Sequence, residues 1–383
     1  MDSNGQEFSG WTRTVLGTII VPFTEKVFGD HNYEVLTSSR NGIQRQSEHF
    51  AGKQRHDTDG YNIIPRGYCT YRNRSDDGLF TFNMNNIVDE GIVSKFYPVF
   101  TFQNANSTFM MEYLNGSPRV RAKLSVLAVG TSQVVLSFET LKETSFYLPT
   151  FEEQNRIAAL LSTLNKRIEK QRLLIEHLKK YKRGAIQSIF ERKIRLSSAD
   201  PWECEKLGNI FFERNERSWG NEELLAVTIQ NGVQKRSEID LKDNSSEDKS
   251  NYKRVLIGDI AYNTMRMWQG ASGGSLYDGI VSPAYTVISP NDPTRHNFRF
   301  WAYYFKHTPI VQTFQKYSQG LTSDTWNLKF PQLSEINVDY PSREEQDLIV
   351  TFLERLDEKY HAEEMLLSAL IKIKKQLLSD LFI

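Results

Sequence analysis

Arg72 and Arg74 follow Tyr71 in YRNR, and Arg266 follows Tyr262 in YNTMR. A guanidinium presents a rigid fork of N–H donors, which suits planar pairs of acceptors such as a base edge or a phosphate. Similar groups stand nearby: Gln44 and Arg45 in NGIQRQSE, and Gln234, Lys235 and Arg236 in NGVQKRSE. Gln269, the Thr131–Ser132 pair and the Thr322–Ser323 pair complete the set. Amide, hydroxyl and cationic side chains of this kind read base edges, while phosphate contacts mainly fix position. All lie in polar stretches between strand-like runs, where adaptable loops belong. For each, a solvated loop position is the competing reading. GASGG from Gly270 would let a backbone approach nucleic acid closely, or would simply turn. Trp268 and Trp326 read as core or rim packing.

Catalytic chemistry finds no such foothold. The sequence has no G-x-x-x-x-G-K-[ST], G-x-G-x-x-G or H-E-x-x-H spacing, and no kinase signature. The Asn/Asp-Pro-Pro-aromatic run expected of an adenine methyltransferase is also missing, and Asp240 and Asp259 read as surface or turn carboxylates. Cys69 and Cys204 stand far apart without neighbouring histidines, which argues against zinc or a disulfide framework. No run of about 18 apolar residues occurs, and the N-terminal residues MDSNGQEFSG resemble no secretory signal. A cytoplasmic location is expected. The 47 basic residues cancel the 47 acidic ones. A chain that clamps nucleic acid alone usually carries surplus positive charge, so a partner is expected to supply part of the clamp.

The elements that position these residues come from a duplication. LPTFEEQNRI, from Leu148, returns as YPSREEQDLI, from Tyr340. The offset of 192 residues between Pro149 and Pro341 runs without a gap toward the C-terminus and pairs Leu161, Leu164, Leu178, Lys182 and Phe190 with Leu353, Leu356, Leu370, Lys374 and Phe382. Upstream, Trp11, Tyr61, Gly67 and Tyr71 recur as Trp202, Tyr252, Gly258 and Tyr262, and GIVS from Gly91 recurs from Gly279. A collinear series of this kind marks a tandem repeat. Each copy reads as a mixed domain with short β runs, then a long helix, giving segments 1–149, 150–195, 196–340 and 341–383. NRSDDGLFTFNMNN faces TMRMWQGASGGSLY at the point of greatest divergence. Like frameworks with unlike loops suggest one task performed on two targets.

Thr150 with Glu153, and Ser342 with Glu345, fit the capping box that opens a helix. Apolar residues then recur every 3.5 positions, through Ile157, Leu161, Leu164 and Ile168 in one copy and Ile349, Leu353, Leu356 and Tyr360 in the other. That spacing predicts an antiparallel coiled-coil pair, each helix of roughly 38 residues spanning about 57 Å. Polar residues interrupt both seams: Gln171 and Lys182 in the first, Glu363 and Lys374 in the second. One register sets Lys182 against Glu363 and Gln171 against Lys374. Residues 152–195 hold 12 basic and 5 acidic groups, whereas residues 343–383 hold 6 and 9, so the helices should prefer each other. Ordinary amphipathic helices packed on their own domains are the alternative. The expected object is α+β and pseudo-two-fold: two globular mixed domains joined by two long antiparallel helices.

The repeated Pro-x-x-Glu-Glu-Gln-x-x-Ile opening, the basic and apolar-Phe helix ends, and the alternation of variable domain with helix resemble the specificity subunit of type I restriction-modification systems. The likeness runs from Trp11 to Phe382. It implies a non-catalytic subunit whose two target-recognition domains select an asymmetric bipartite site on double-stranded DNA, with the helices setting the spacer. It implies two methyltransferase subunits, which hold S-adenosylmethionine, and two restriction subunits, which use ATP and Mg; no cofactor or metal is expected on this chain. Within it, Glu152, Glu153, Gln154, Glu344, Glu345 and Gln346 are candidates for docking those partners, with helix capping as the equal alternative. A two-ended protein-binding scaffold with no role for nucleic acid is the rival function.

Overall fold

In each repeat an opening strand pairs antiparallel with the strand that precedes the long helix. Trp11–Val15 runs beside Ser145–Pro149, with Trp11 opposite Pro149. Glu203–Lys206 runs beside Asn337–Tyr340, with Glu203 opposite Tyr340. These ribbons bring the entry and exit of each mixed domain together, so the helix leaves directly from the domain's base. The structure, a computed structural model, describes residues 10–49, 57–130, 133–197, 201–220, 222–229, 231–239, 248–322 and 325–382. The chain folds as two compact units, Met1–Leu173 with Met365–Ile383, and Leu174–Glu364.

The main sheet of the first unit is four-stranded and antiparallel, in the order Ile20–Phe23, Val99–Phe102, Cys69–Tyr71, Phe82–Met84. The second unit repeats that order with Phe211–Glu213, Tyr285–Pro290, Ile260–Asn263 and Ser272–Gly274. The matched Tyr71 and Tyr262 sit fully buried on the corresponding strand of each sheet. A second β layer contains one parallel step, Glu34 opposite Gly91 in the first unit and the bridge of Leu224 to Ile280 in the second. Here the recurring GIVS finds its reason. A Cβ on Gly91 would lie 2.5 Å from Leu36 Cδ1, and one on Gly279 would lie 2.4 Å from the Glu223 carbonyl oxygen. At Gly279, where the neighbour is backbone, only glycine admits the crossing strand, and at Gly91 a larger residue would displace Leu36.

The long helices span Phe151–Phe190 and Arg343–Leu381. The capping box is half realised at the first, where Thr150 Oγ1 accepts from the Glu153 N–H at 3.3 Å. In the first unit the start of one helix runs antiparallel to the end of the other: Ile157, Ala158 and Leu161 share a core with Leu377, Leu378, Leu381 and Phe382. The second unit joins the remaining halves, with Ile186, Ile189 and Phe190 against Ile349, Val350, Leu353 and Leu356. The compact units therefore cut across the four segments drawn from the sequence, because each mixed domain packs on both helices.

The helix register differs from the sequence expectation. Lys182 pairs with Asp357, six residues before Glu363, and Lys374 pairs with Glu112 of the mixed domain at 3.2 Å rather than with Gln171. Gln171 is buried in the seam and Glu363 half-buried. The register is fixed at the helix ends. Phe382 packs edge-on against Phe109 and Tyr113, at centroid distances of 5.8 and 5.1 Å. Phe190 does the same against Phe300 and Tyr304, at 5.7 and 5.2 Å. Heptad reading pairs helix with helix only, so it misses a docking site supplied by the domain. Phe109 is stacked on Tyr113 at 13° and Phe300 on Tyr304 at 16°, which makes the two sockets copies of each other.

The copies part at two histidines. His296 and His307 are buried in the second unit, where the corresponding residues of the first, 191 positions earlier, are Ala105 and Gly116. Burial lowers both imidazole pKa values; Arg295 adds to the effect at His296, while the nearby Glu205, Asp292 and Glu203 oppose it, as Glu191 does at His307. Each ring takes up a proton less readily when folded than when unfolded. Their contribution to stability is therefore complete above the ordinary histidine value of about 6.5 and is lost as pH falls below it. Hydrogen exchange at pH 7.5 and 5.5 should show protection falling in the second unit before the first; equal loss in both would refute the assignment.

Candidate nucleic-acid interface and helix junctions

Three sequence-distant segments meet in the first unit. Val134 and Val135 pair with Ser75 and Arg74, extending the 72–79 turn. Arg40, at the tip of the hairpin that carries Gln44 and Arg45, bonds Asp77 at 2.6 Å. Gln133 Nε2 donates to Asp76 Oδ1 at 2.9 Å, tying in the segment next to Thr131 and Ser132, which lie outside the described residues. Asp77 Oδ1 accepts from Ser75 Oγ and from the Leu79 N–H, so the turn is held internally. The Arg40 guanidinium, then the bonds from Ser75 and Leu79, hold the Asp77 carboxyl down at about 2.

The same segments meet in the second unit. Gly232 and Gly273 bring the hairpin of Gln234 and Lys235 onto the Ser272–Gly274 strand, since a Cβ on Gly273 would fall 2.5 Å from Gly232 Cα. Trp268 and Trp326 meet edge to face at 5.2 Å, joining the 264–270 turn to the segment that carries Thr322; Ser323 lies outside the described residues. In the turn, the Arg266 N–H donates to the Asn263 carbonyl and the Gln269 N–H to the Arg266 carbonyl, with Gly270 closing it at φ +79. The glycines of GASGG thus serve close approach within the chain's own fold.

The candidate readers divide by what holds their side chains. Arg72, Arg266 and Gln269 are exposed, and among the described residues their side chains have no partner. Arg74 lies over the Phe96 ring at 5.0 Å and Lys235 over Tyr277 at 5.2 Å. Arg45 is bonded to Glu34 at 2.6 Å, Gln44 accepts from Ser39 Oγ at 3.1 Å, and Arg236 donates to the Ile239 carbonyl at 3.0 Å. Gln234 is half-buried on its strand, and Thr322 belongs to a turn closed by Thr325. Among the described candidates, the side chains without a partner are Arg72, Arg266 and Gln269, all on the two divergent turns.

Of the six residues offered for partner docking, three are spent inside the chain. Gln154 donates to the Pro149 carbonyl at 3.0 Å and accepts from the Asn106 N–H at 3.0 Å. Gln346 donates to the Pro341 carbonyl at 2.9 Å and accepts from the Asn297 N–H at 2.9 Å. Asn106 and Asn297 cap the domain helices Ser107–Gly116 and Phe298–Tyr304, so each glutamine locks a domain helix to a long helix. Glu345, 2% exposed, receives both Arg195 Nε and Nη2, at 2.8 and 2.6 Å, instead of closing its capping box. Buried amides already satisfied in this way have no capacity left for a partner. Glu152 and Glu344 remain exposed, and Glu153 is half-buried. Sequence reasoning missed Asn106, Asn297 and the aromatic sockets, although Phe109, Tyr113, Phe300 and Tyr304 keep an offset of 191 and were open to discovery.

Among the described residues no cluster of His, Cys, Asp or Glu is arranged to hold a metal ion, and no helix is long and apolar enough to cross a membrane. No curated protein sequence matches the chain. Its fold is similar to that of a type I restriction-modification S subunit from M. genitalium, at 16% identity and TM-score 0.60, with 97% of this chain and 96% of that one covered. The HsdS subunit from Thermoanaerobacter tengcongensis is similar at 15% identity and TM-score 0.51, covering 99% and 98%. The model for the type I restriction modification DNA specificity domain matches residues 29–177 and again 206–371, one match on each copy of the repeat. The chain therefore belongs to the type I restriction-modification specificity family, the non-catalytic subunits whose domain recognises DNA sequence.

Proposed function

We propose that this subunit selects an asymmetric, two-part site on double-stranded DNA, with one half-site read by each mixed domain and the spacer set by the paired helices. Two methyltransferase subunits dock on it and supply S-adenosylmethionine chemistry, and two restriction subunits supply ATP- and Mg-dependent cleavage. The observation that carries this reading is the contrast between copies: matching sheets and sockets present unlike turns, each with an exposed arginine, Arg72 or Arg266, that has no partner among the described residues. The neutral balance of 47 basic and 47 acidic residues leaves much of the phosphate clamp to the methyltransferases.

Selection from random duplexes in the presence of the methyltransferase partner tests it: a split motif should be enriched, and none would appear if the chain were only a protein scaffold. Arg72→Ala and Arg266→Ala should each weaken binding by about 1–3 kcal/mol and relax preference at one position of one half-site. A uniform loss over all sequences would assign that arginine to phosphate instead.

A further inference from the structure

At each junction between a mixed domain and the helices, one lysine meets one carboxylate and one neutral polar group. In the first unit Lys374 Nζ lies 3.2 Å from Glu112 Oε2, and Asn165 Nδ2 donates to Glu112 Oε1 at 2.6 Å. In the second, Lys182 pairs with Asp357, and the Tyr303 hydroxyl donates to Asp357 Oδ2 at 2.6 Å. These are the same three positions of the repeat. Lys182 and Lys374 are 192 residues apart, as are Asn165 and Asp357, while Glu112 and Tyr303 are 191 apart. All four charged side chains are well shielded, with exposures of 27 and 18% for Lys374 and Glu112 and of 28 and 27% for Lys182 and Asp357.

The lysine is constant and the carboxylate has moved. It stands on the domain helix in the first unit and on the long helix in the second, and in each case a neutral donor takes the vacated position. We infer that this single carboxylate matches each recognition domain to its own helix junction. The second domain placed at the first junction would bring Tyr303 to Asn165 and leave Lys374 without an acid. The first domain placed at the second junction would set Glu112 and Asp357 against one lysine. A shielded charge without its partner, or two carboxylates at one site, destabilises the junction. Moving the acid repairs it: Asn165→Asp at the first junction, Asp357→Asn at the second.

Lys306 sharpens the contrast. Burial, and then the neighbouring Lys182, pull its ammonium down to about 8, so a second cation stands near Asp357. Loss of Asp357 should therefore cost more than loss of Glu112.

Thermal unfolding of the full chain decides the matter. Glu112→Gln should lower the Tm by about 3–6 °C, and adding Asn165→Asp should recover more than half of that. Asp357→Asn should lower it further, and adding Tyr303→Glu should recover it. A purely steric role predicts no gain from the second substitution, so double variants no better than the single ones would overturn the inference. The DNA consequence rests on the function proposed above. A chain carrying the second domain at both junctions, expressed with the methyltransferase, should methylate a symmetric two-part motif only when Asn165→Asp is included. Equal methylation without that change would also overturn the inference. Rescue of stability without methylation in either chimera would uphold the inference and count against the DNA reading.

Discussion

Replacing Phe382 with alanine is expected to destabilise the first unit by about 3–5 kcal/mol, the range for removing a buried aromatic ring. The ring is 1% exposed, second from the end of the chain, and clasped by Phe109 and Tyr113. Ser117 Oγ donates to the Phe382 carbonyl at 3.3 Å, and a Cβ on Gly116 would meet Leu378 Cδ2 at 2.9 Å, so the whole last turn is fitted to this domain. Edge-to-face contacts add about 0.5–1.5 kcal/mol per pair beyond the area buried. Phe190→Ala should do the same to the second unit through Phe300 and Tyr304. Urea unfolding followed by hydrogen exchange would locate each loss. An unchanged midpoint for Phe382→Ala would mean that the socket does not hold the helix end.

Arg195→Met should cost the second unit about 3–5 kcal/mol, because it strands a buried carboxylate. The guanidinium engages both oxygens of Glu345, whose side chain is 3% exposed while that of Arg195 is 29% exposed. The pair ties the segment that follows the first long helix to the start of the second. Its cost should be largely reversed in Arg195→Met/Glu345→Met, where no charge remains to be buried. A double variant as unstable as the single one would show that shape, not charge, holds the junction. The first unit should not respond, since the corresponding carboxylate, Glu153, is only half-buried and among the described residues meets just Arg156, at 3.6 Å, besides its place in the cap.

The repeated Glu-Glu-Gln shows where residue identity stops informing. From the sequence the three polar residues were equally plausible as caps or as docking groups. In the fold the glutamine is an internal lock in both copies, and the middle glutamate is half-buried as Glu153 in one copy and fully buried as Glu345 in the other. The difference lies in Arg195, which reaches Glu345 from the segment after the first long helix. The polar seam residues behave alike. Lys182 and Lys374 keep their type, but Tyr303 and Glu112, from helices of the mixed domains, complete their networks.

The amino-acid order alone determined the duplication, the two long helices, the divergence of the exposed turns and the family, because periodicity and repeat spacing are one-dimensional properties that survive without coordinates. Tertiary structure decided which polar residues are consumed inside, which helix half meets which domain, and where each lysine finds its carboxylate. Those outcomes depend on side chains about 50 to 265 residues apart, such as Glu112 with Asn165 and Ser117 with Phe382, coming within a few ångströms. No local pattern encodes that distance.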